Sequence, residues 1–416
     1  MNIHANRVVE ANGRTYAWPK APLVVVCIDG SEPDYIELAV AAGRMPYLAG
    51  ALKRGTSLLA DCVVPSFTNP NNLSILTGRP PSVHGISGNF FLDPASGQEV
   101  MMNDPAYLRA GTVFAAFQRA GARVALVTAK DKLRAMLGHG LKFDGSAVCF
   151  SSEKADKANL AENGIEGVVE MVGQPVPSVY SAELSGFVFA AGVRLMERFR
   201  PDLMYLSTTD YIQHKHAPGS PVANDFYAMM DRHLAALDHQ GAVIALTADH
   251  GMNDKHDAAL KPDVIYLQAL LDEWLGQGEA RVILPITDPY VVHHGALGSY
   301  ATVYLGEGVD VEALRERIAA LPGIEVALDR AEACRRFELP PDRVGDLVVV
   351  STRHKVIGTR PERHDLSGLK EPLRSHGGIS EQVVPLIVTR PLKREETARR
   401  WRNFDILDLA LNHVAA

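Results

Sequence analysis

A chain of 416 residues, 47% hydrophobic and 22% charged, has the makeup of an ordinary folded protein, which excludes a disordered chain and leaves room for two or three structural units, or one large domain with an insertion. Its formal net charge of -7, with no basic block, argues against a nucleic-acid partner, because phosphate backbones need clustered Lys and Arg. No apolar run approaches the roughly 20 residues that span a bilayer, and the N-terminus has no apolar stretch after a basic start, so no membrane partner and a cytoplasmic location are expected.

Apolar, β-branched runs recur along the chain: LVVVCI at 23–28, RVALVT at 123–128, DLMYLST at 202–208 and AVIALTA at 242–248. Amphipathic stretches at 112–120 and 181–199 suit crossover helices between them. Runs apolar on both faces and spaced by helices predict an α/β fold, a doubly wound, mostly parallel sheet with helices on both faces. After 254 the texture changes, with apolar segments at 300–305 and 346–352 flanking a helical pattern at 311–321. The reading is a smaller α+β cap inserted at 262–370, with 1–261 and 371–416 as the catalytic core. A last apolar run at 383–388 returns to the core, and 404–414 reads as a closing helix.

In an open parallel sheet, ligands bind beyond the carboxyl ends of the strands. The four runs lead into Asp29, into Lys130 and Lys132, into Asp210, and into Asp249 with His250. One such Asp alone is ordinarily a turn residue or helix cap. Four strands delivering carboxylates, an imidazole and amines to one edge, in a chain with fifteen histidines, point to metal chemistry. Asp210 and His214, spaced i, i+4, share a face if a helix begins there. His216 would point about 240° away. For His216, His84, His139 and the pair His293-His294 a solvated or capping role is expected. Asp249 and His250 can serve different or neighbouring metals where a strand bends into a loop, with Gly251 easing the bend. His376, in Ser-His-Gly-Gly, could return a ligand from far along the chain. Cys27, Cys62, Cys149 and Cys334 lack CxxC spacing and read as buried free thiols.

Thr68 precedes a helical segment with Pro70 near its first turn. A lone Thr-x-Pro is ordinarily a cap, but a hydroxyl beside divalent cations becomes a nucleophile, and a helix N-terminus favours the negative charge of an attacked phosphoryl group. Zinc suits the Asp and His candidates. Lys130 and Lys132 flank Asp131, which by itself would read as a solvated surface turn.

Asp29, Pro65-Ser66-Phe67-Thr68-Asn69-Pro70, Thr77-Gly78, His84-Gly85-Ile86, Asn89, Asp210 with His214, Asp249-His250-Gly251 and His376-Gly377 stand in this order. The series resembles the alkaline phosphatase superfamily, specifically its nucleotide pyrophosphatase/phosphodiesterase-like branch, over about 29–388. The resemblance implies two zinc ions, one held by Asp29, Thr68, Asp249 and His250, the other by Asp210, His214 and His376. It also implies Thr68 as the nucleophile on phosphorus and Asn89 on a phosphoryl oxygen. Within that branch, Lys130-Asp131-Lys132 looks most like the members that hydrolyse phosphonoacetate, with both lysines catalytic and Thr68, Asn89, Lys130, Lys132 and His214 meeting the substrate. The expected partner is thus a small-molecule phosphonate. A phosphodiesterase or phosphomonoesterase is the runner-up, a non-catalytic metal or phosphate binder the reading from another class, and a homodimer is left open.

Overall fold

The computed structural model describes residues 7–287, 294–394 and 399–415. The four expected strands form as Leu23–Cys27, Val124–Thr128, Leu203–Ser207 and Val243–Thr247. Every residue of the first three is buried, as strands covered on both faces require.

They belong to a seven-stranded sheet in the order Thr56–Asp61, Val383–Val388, Val243–Thr247, Leu23–Cys27, Leu203–Ser207, Val124–Thr128, Ala147–Ser151. Neighbours run parallel except Val383–Val388, which is antiparallel to both strands beside it. Successive side chains of a strand face opposite ways. Accordingly Val25 and Cys27 pack in one core with Phe114, Phe117 and Ile406, while Val24 and Val26 pack in another with Phe187, Phe189 and Leu234. The predicted crossover helices form as Val113–Arg119 and Glu183–Arg198 and supply those aromatic rings to opposite faces.

A second, antiparallel sheet has the order Ala280–Ile283, Tyr300–Leu305, Leu347–Ser351, Ile324–Asp329. Helices Val311–Ala319 and Arg330–Phe337 share its core through Leu314, Ile318, Ala333 and Phe337. Phe67 belongs to this second core, edge-on to Tyr300 with ring centroids 6.2 Å apart. The residue before Thr68 is therefore anchored in the smaller sheet's core while the helix it opens packs against the larger one.

One local expectation changes. The closing helix at 404–414 is broken into a 3₁₀ turn (Asn403–Asp405), one α turn (Ile406–Asp408) and a π turn (Leu409–His413). Tertiary hydrogen bonds hold these pieces: Asn403 donates to Asn71 Oδ1 and to the Ala248 carbonyl, and Asn412 bonds Ala17 and Thr15 of an N-terminal hairpin. That hairpin, Val8–Ala11 with Arg14–Ala17, turns on Asn12 and Gly13 at φ of 52° and 73°, left-handed values that Asn-Gly tolerates.

Candidate active site

The carboxyl end of the parallel strands carries a buried cluster. Asp29, Asp210, His214, Asp249, His250 and His376 are all buried, although they come from four loops far apart in the chain. Gly30, at φ +71°, turns the chain after Asp29, and a Cβ there would sit 3.1 Å from Asp210 Cβ. Its N–H donates to Asp249 Oδ1 at 3.2 Å, which ties two of the loops together. Asp210 and His214 lie on a single helical turn, closed by the His214 N–H donating to the Asp210 carbonyl at 3.0 Å, rather than on a longer helix. The expected shared face nonetheless forms, with His214 Nε2 2.9 Å from Asp210 Oδ2.

Ligand atoms of Asp210, His214 and His376 fall within 4.8 Å of one another, and so do those of Asp29, Asp210 and His250. Asp249 is beside the second group, with Oδ2 3.7 Å from His250 Nε2. The His250 and His376 rings stack with centroids 3.7 Å apart.

Each of the three imidazoles is oriented in the same way. Nδ1 of His214 meets the Arg374 carbonyl, Nδ1 of His250 the Gly251 carbonyl and Nδ1 of His376 the Ser66 carbonyl, each at 2.8 Å. A carbonyl only accepts, so each Nδ1 carries its proton and each Nε2 is turned into the cluster, the arrangement that metal-ligating histidines share.

The electrostatics call for cations. Burial pushes the Asp29 carboxyl well up, and the nearby Asp210 and Asp249 push it further. Burial works against a charged His250, yet the Asp249 and Asp29 carboxylates outweigh it and raise the imidazole to about 10. His376 goes the other way, lowered by burial and by its two imidazole neighbours. Asp29 Oδ1 and His250 Nε2 are buried, 3.3 Å apart, with no hydrogen-bond partner among the described residues. Buried carboxylates with orphaned atoms facing imidazole nitrogens fit divalent metal ions, whose charge offsets the repulsion.

Thr68 is the first residue of helix Thr68–Thr77, not its cap; Phe67 holds the cap position, and no side-chain cap bond is made. Thr68 lines one small cavity with Asp29, Asn89, Lys130, Lys132 and Asp210. Asn89 Oδ1 accepts from the Asn69 N–H at 2.9 Å, so its amide NH₂ remains the group to donate into the cavity. Asp131 is turned away from the lysines, accepting from Ser151 Oγ, Arg134 Nε and Lys154 Nζ. Lys130 Nζ lies 3.9 Å from Asp210 Oδ1. Burial, reinforced by the Lys130 charge, lowers the Lys132 ammonium to about 7. The surface-turn reading of this pair does not hold.

The type I phosphodiesterase / nucleotide pyrophosphatase family model matches residues 23–379. The chain belongs to that family.

Among solved family structures, a phosphonoacetate hydrolase from Sinorhizobium meliloti 1021, in complex with phosphonoacetate and with phosphonoformate, is 61% identical, with a TM-score of 0.95 over 99% of this chain and 100% of that one. The phosphonoacetate hydrolase of Penicillium oxalicum is 54% identical over 41 residues, 9% of this chain and 57% of that protein. An uncharacterized pyrophosphatase/phosphodiesterase of Schizosaccharomyces pombe is 32% identical over 89 residues, 21% of this chain and 17% of that one. The alignments thus span 57% and 17% of these two curated relatives.

Of the histidines expected to be solvated or capping, His84 and His294 are buried. His84 is not solvated: it is buried, its Nε2 2.8 Å from Ser74 Oγ and its Nδ1 accepting from the Ile86 N–H, with burial lowering it to about 3. His139 and His216 are half-buried and outside the cluster, and His293 lies outside the described residues. His294 is buried, lines the cavity and stacks on His214 with ring centroids 4.3 Å apart. Its spacing in the sequence carried no signal, because tertiary packing delivers it. Asn72 was also missed, although one helical turn beyond Thr68 it was within reach of i, i+4 reasoning.

Proposed function

We propose that this hydrolase cleaves the carbon to phosphorus bond of phosphonoacetate, giving acetate and phosphate through a phospho-Thr68 intermediate at a two-zinc centre. The observation that carries the reading is the meeting of Thr68, Lys130 and Lys132 on one cavity with the buried carboxylates and imidazoles. The full-length likeness to the Sinorhizobium enzyme supports the same substrate.

Asp29, Thr68, Asp249 and His250 would hold one zinc, and Asp210, His214 and His376 the other. Bound there, the pair supplies positive charge against the phosphoryl oxygens and eases deprotonation of a hydroxyl or water. The N-terminus of the 68–77 helix adds its own positive potential, and the Asn89 amide donates to a phosphoryl oxygen. Thr68 Oγ1 forms its bond to phosphorus as the bond to carbon breaks. The electron pair moves onto carbon and delocalises into the neighbouring carboxylate, whose charge Lys130 and Lys132 stabilise. A proton from water completes acetate. A second water then attacks phospho-Thr68, releasing phosphate and restoring the hydroxyl. Alkylphosphonates without a carboxylate offer no such sink and should be poor substrates. Residues 262–370 act as the cap in this reading, contributing Ile286 and His294 to the cavity lining.

The test is phosphate release from phosphonoacetate by zinc-loaded protein, with a chelated control and a nitrophenyl diester alongside. Good diester hydrolysis with no phosphate from phosphonoacetate would move the assignment to a phosphodiesterase.

A further inference from the structure

The catalytic cavity is small, about 30 Å³. A second cavity of about 100 Å³ adjoins it, lined by Lys215, Leu369, Lys370, Glu371, Leu373 and Arg374 among others. Two residues line both spaces: His214 and His294. Their rings lie nearly parallel, 15° apart, with centroids 4.3 Å apart. The stacked pair is thus a partition between the site of reaction and a larger neighbouring space.

The two leaves of the partition are held differently. His214 is fixed by Asp210 Oδ2 at 2.9 Å and by the Arg374 carbonyl at 2.8 Å, and belongs to the candidate metal set. His294 comes from the far side, out of the segment between the first two strands of the smaller sheet, and is only 1% exposed.

The space behind the partition also has a chemical character. Lys215, Lys370 and Glu371 line it, while the Arg374 guanidinium is paired with Asp254 and Glu32. A carboxylate would find complementary charge there.

We infer that His294 is a specificity-determining residue: its ring shuts the catalytic cavity off from the neighbouring one and limits the leaving group to an unsubstituted, acetate-sized fragment. The inference deepens the phosphonoacetate reading and rests on it for the identity of the leaving group. Shortening the side chain joins the two cavities and admits a phosphonate branched at the reacting carbon. Phosphonosuccinate is the probe of choice, since it keeps the carboxylate that activates the carbon to phosphorus bond and adds a second one on the branch.

The experiment compares phosphonosuccinate with phosphonoacetate in the wild type, His294→Ala and His294→Phe. Turnover gives kcat/KM for each compound, and calorimetric binding to the zinc-loaded protein gives the same ratio without needing turnover. In His294→Ala both ratios should shift toward phosphonosuccinate by about tenfold or more, the scale on which a pocket discriminates by size. In His294→Phe, where a ring still fills the partition, they should stay near wild type. His294→Ser repeats the truncation if alanine impairs folding. Unchanged ratios in the truncated variants, or an equal shift in His294→Phe, would overturn the inference. Wild-type protein that releases no phosphate from phosphonoacetate would instead overturn the functional reading, while the binding ratios would still judge the partition.

Discussion

Asn72 donates from Nδ2 to Oδ2 of Asp249 at 3.2 Å. The same nitrogen donates to the Thr68 carbonyl at 3.0 Å, and Asn72 Oδ1 accepts from Tyr205 at 2.7 Å and Ser207 at 3.0 Å. One buried amide thus links the candidate nucleophile's backbone, a candidate metal ligand and the strand beneath them. Replacing Asn72 with Ala leaves the buried Tyr205 hydroxyl and an Asp249 oxygen short of partners, at a cost of about 1–3 kcal/mol. Thermal melts should show that loss, and kcat should fall more than KM changes, because Thr68 and Asp249 are displaced together. A stability loss with unaltered kcat would make Asn72 merely structural.

Thr68→Ala should abolish phosphate release from phosphonoacetate while leaving the fold intact. Because no side-chain cap is made at the helix start, the melting midpoint should move little, on the order of the ±0.5 kcal/mol of an uninvolved side chain. Thr68→Ser, which keeps a hydroxyl, should retain part of the rate. A Thr68→Ala protein that melts normally and still turns over would remove the nucleophile assignment.

The parts of this chain that could be read from sequence are those where one local rule decides the outcome. Val24 to Val26 and their counterparts are covered on both faces, so continuous apolar runs betrayed the central strands, and the strand ends then pointed to Asp29, Asp210 and Asp249. The edge strand Thr56–Asp61 alternates between buried and exposed, and Ala147–Ser151, though fully buried, is poor in β-branched residues, so neither shows the continuous apolar, β-branched run that marks the central strands. Asn12-Gly13 is a local hairpin signal of the same kind. His294 had no local signal, because its place beside His214 is set by contacts between segments far apart in the chain. The closing segment failed as a helix because Asn403 and Asn412 are committed to tertiary partners that propensity does not register.

Lys130 and Lys132 should separate substrates by their carboxylates. Lys130→Ala is expected to lower kcat/KM on phosphonoacetate far more than on an aryl phosphate ester, and equal losses would sink the carboxylate role. With the Lys132 ammonium lowered to about 7, it is charged below that pH and neutral above it. KM for phosphonoacetate should therefore rise from pH 6 to pH 8, and Lys132→Met should flatten the rise. Steady-state kinetics across that range decide it.

Metal loading should release protons. In the metal-free protein His250 is raised to about 10, so at neutral pH it holds a proton that a metal must displace. Apparent zinc affinity should strengthen with pH below that value, by about tenfold per pH unit for each proton released. Zinc titrations by calorimetry in buffers of different ionisation enthalpy report the proton count. Binding that is independent of both pH and buffer would contradict the electrostatic account of the cluster.

Lys255 and Glu381 form an ion pair at 2.9 Å with both side chains fully buried. Lys255 also donates to the Arg353 carbonyl at 2.6 Å, while Glu381 accepts from Asn253 at 2.6 Å and from the Gly378 N–H at 2.9 Å. The Gly251 N–H reaches the Glu381 carbonyl at 2.8 Å, so the pair buckles the loop bearing His250 to the loop bearing His376. Such a pair is costly to desolvate, and its removal as a unit can be nearly neutral, but losing one partner strands the other charge at about 3–5 kcal/mol. Glu381→Gln or Lys255→Met should each destabilise on that scale in denaturant melts, and the double variant should cost less than the sum. Burial alone would raise Glu381, but Lys255 and the hydrogen bonds from Ser380 and Asn253 hold it below its usual value. Its stabilisation is therefore present above the unfolded carboxylate range and is lost as pH falls through the lowered folded value. The gap between wild type and Glu381→Gln should accordingly narrow in acid, and a gap that widens there would show that the ion pair is not the source of the stability.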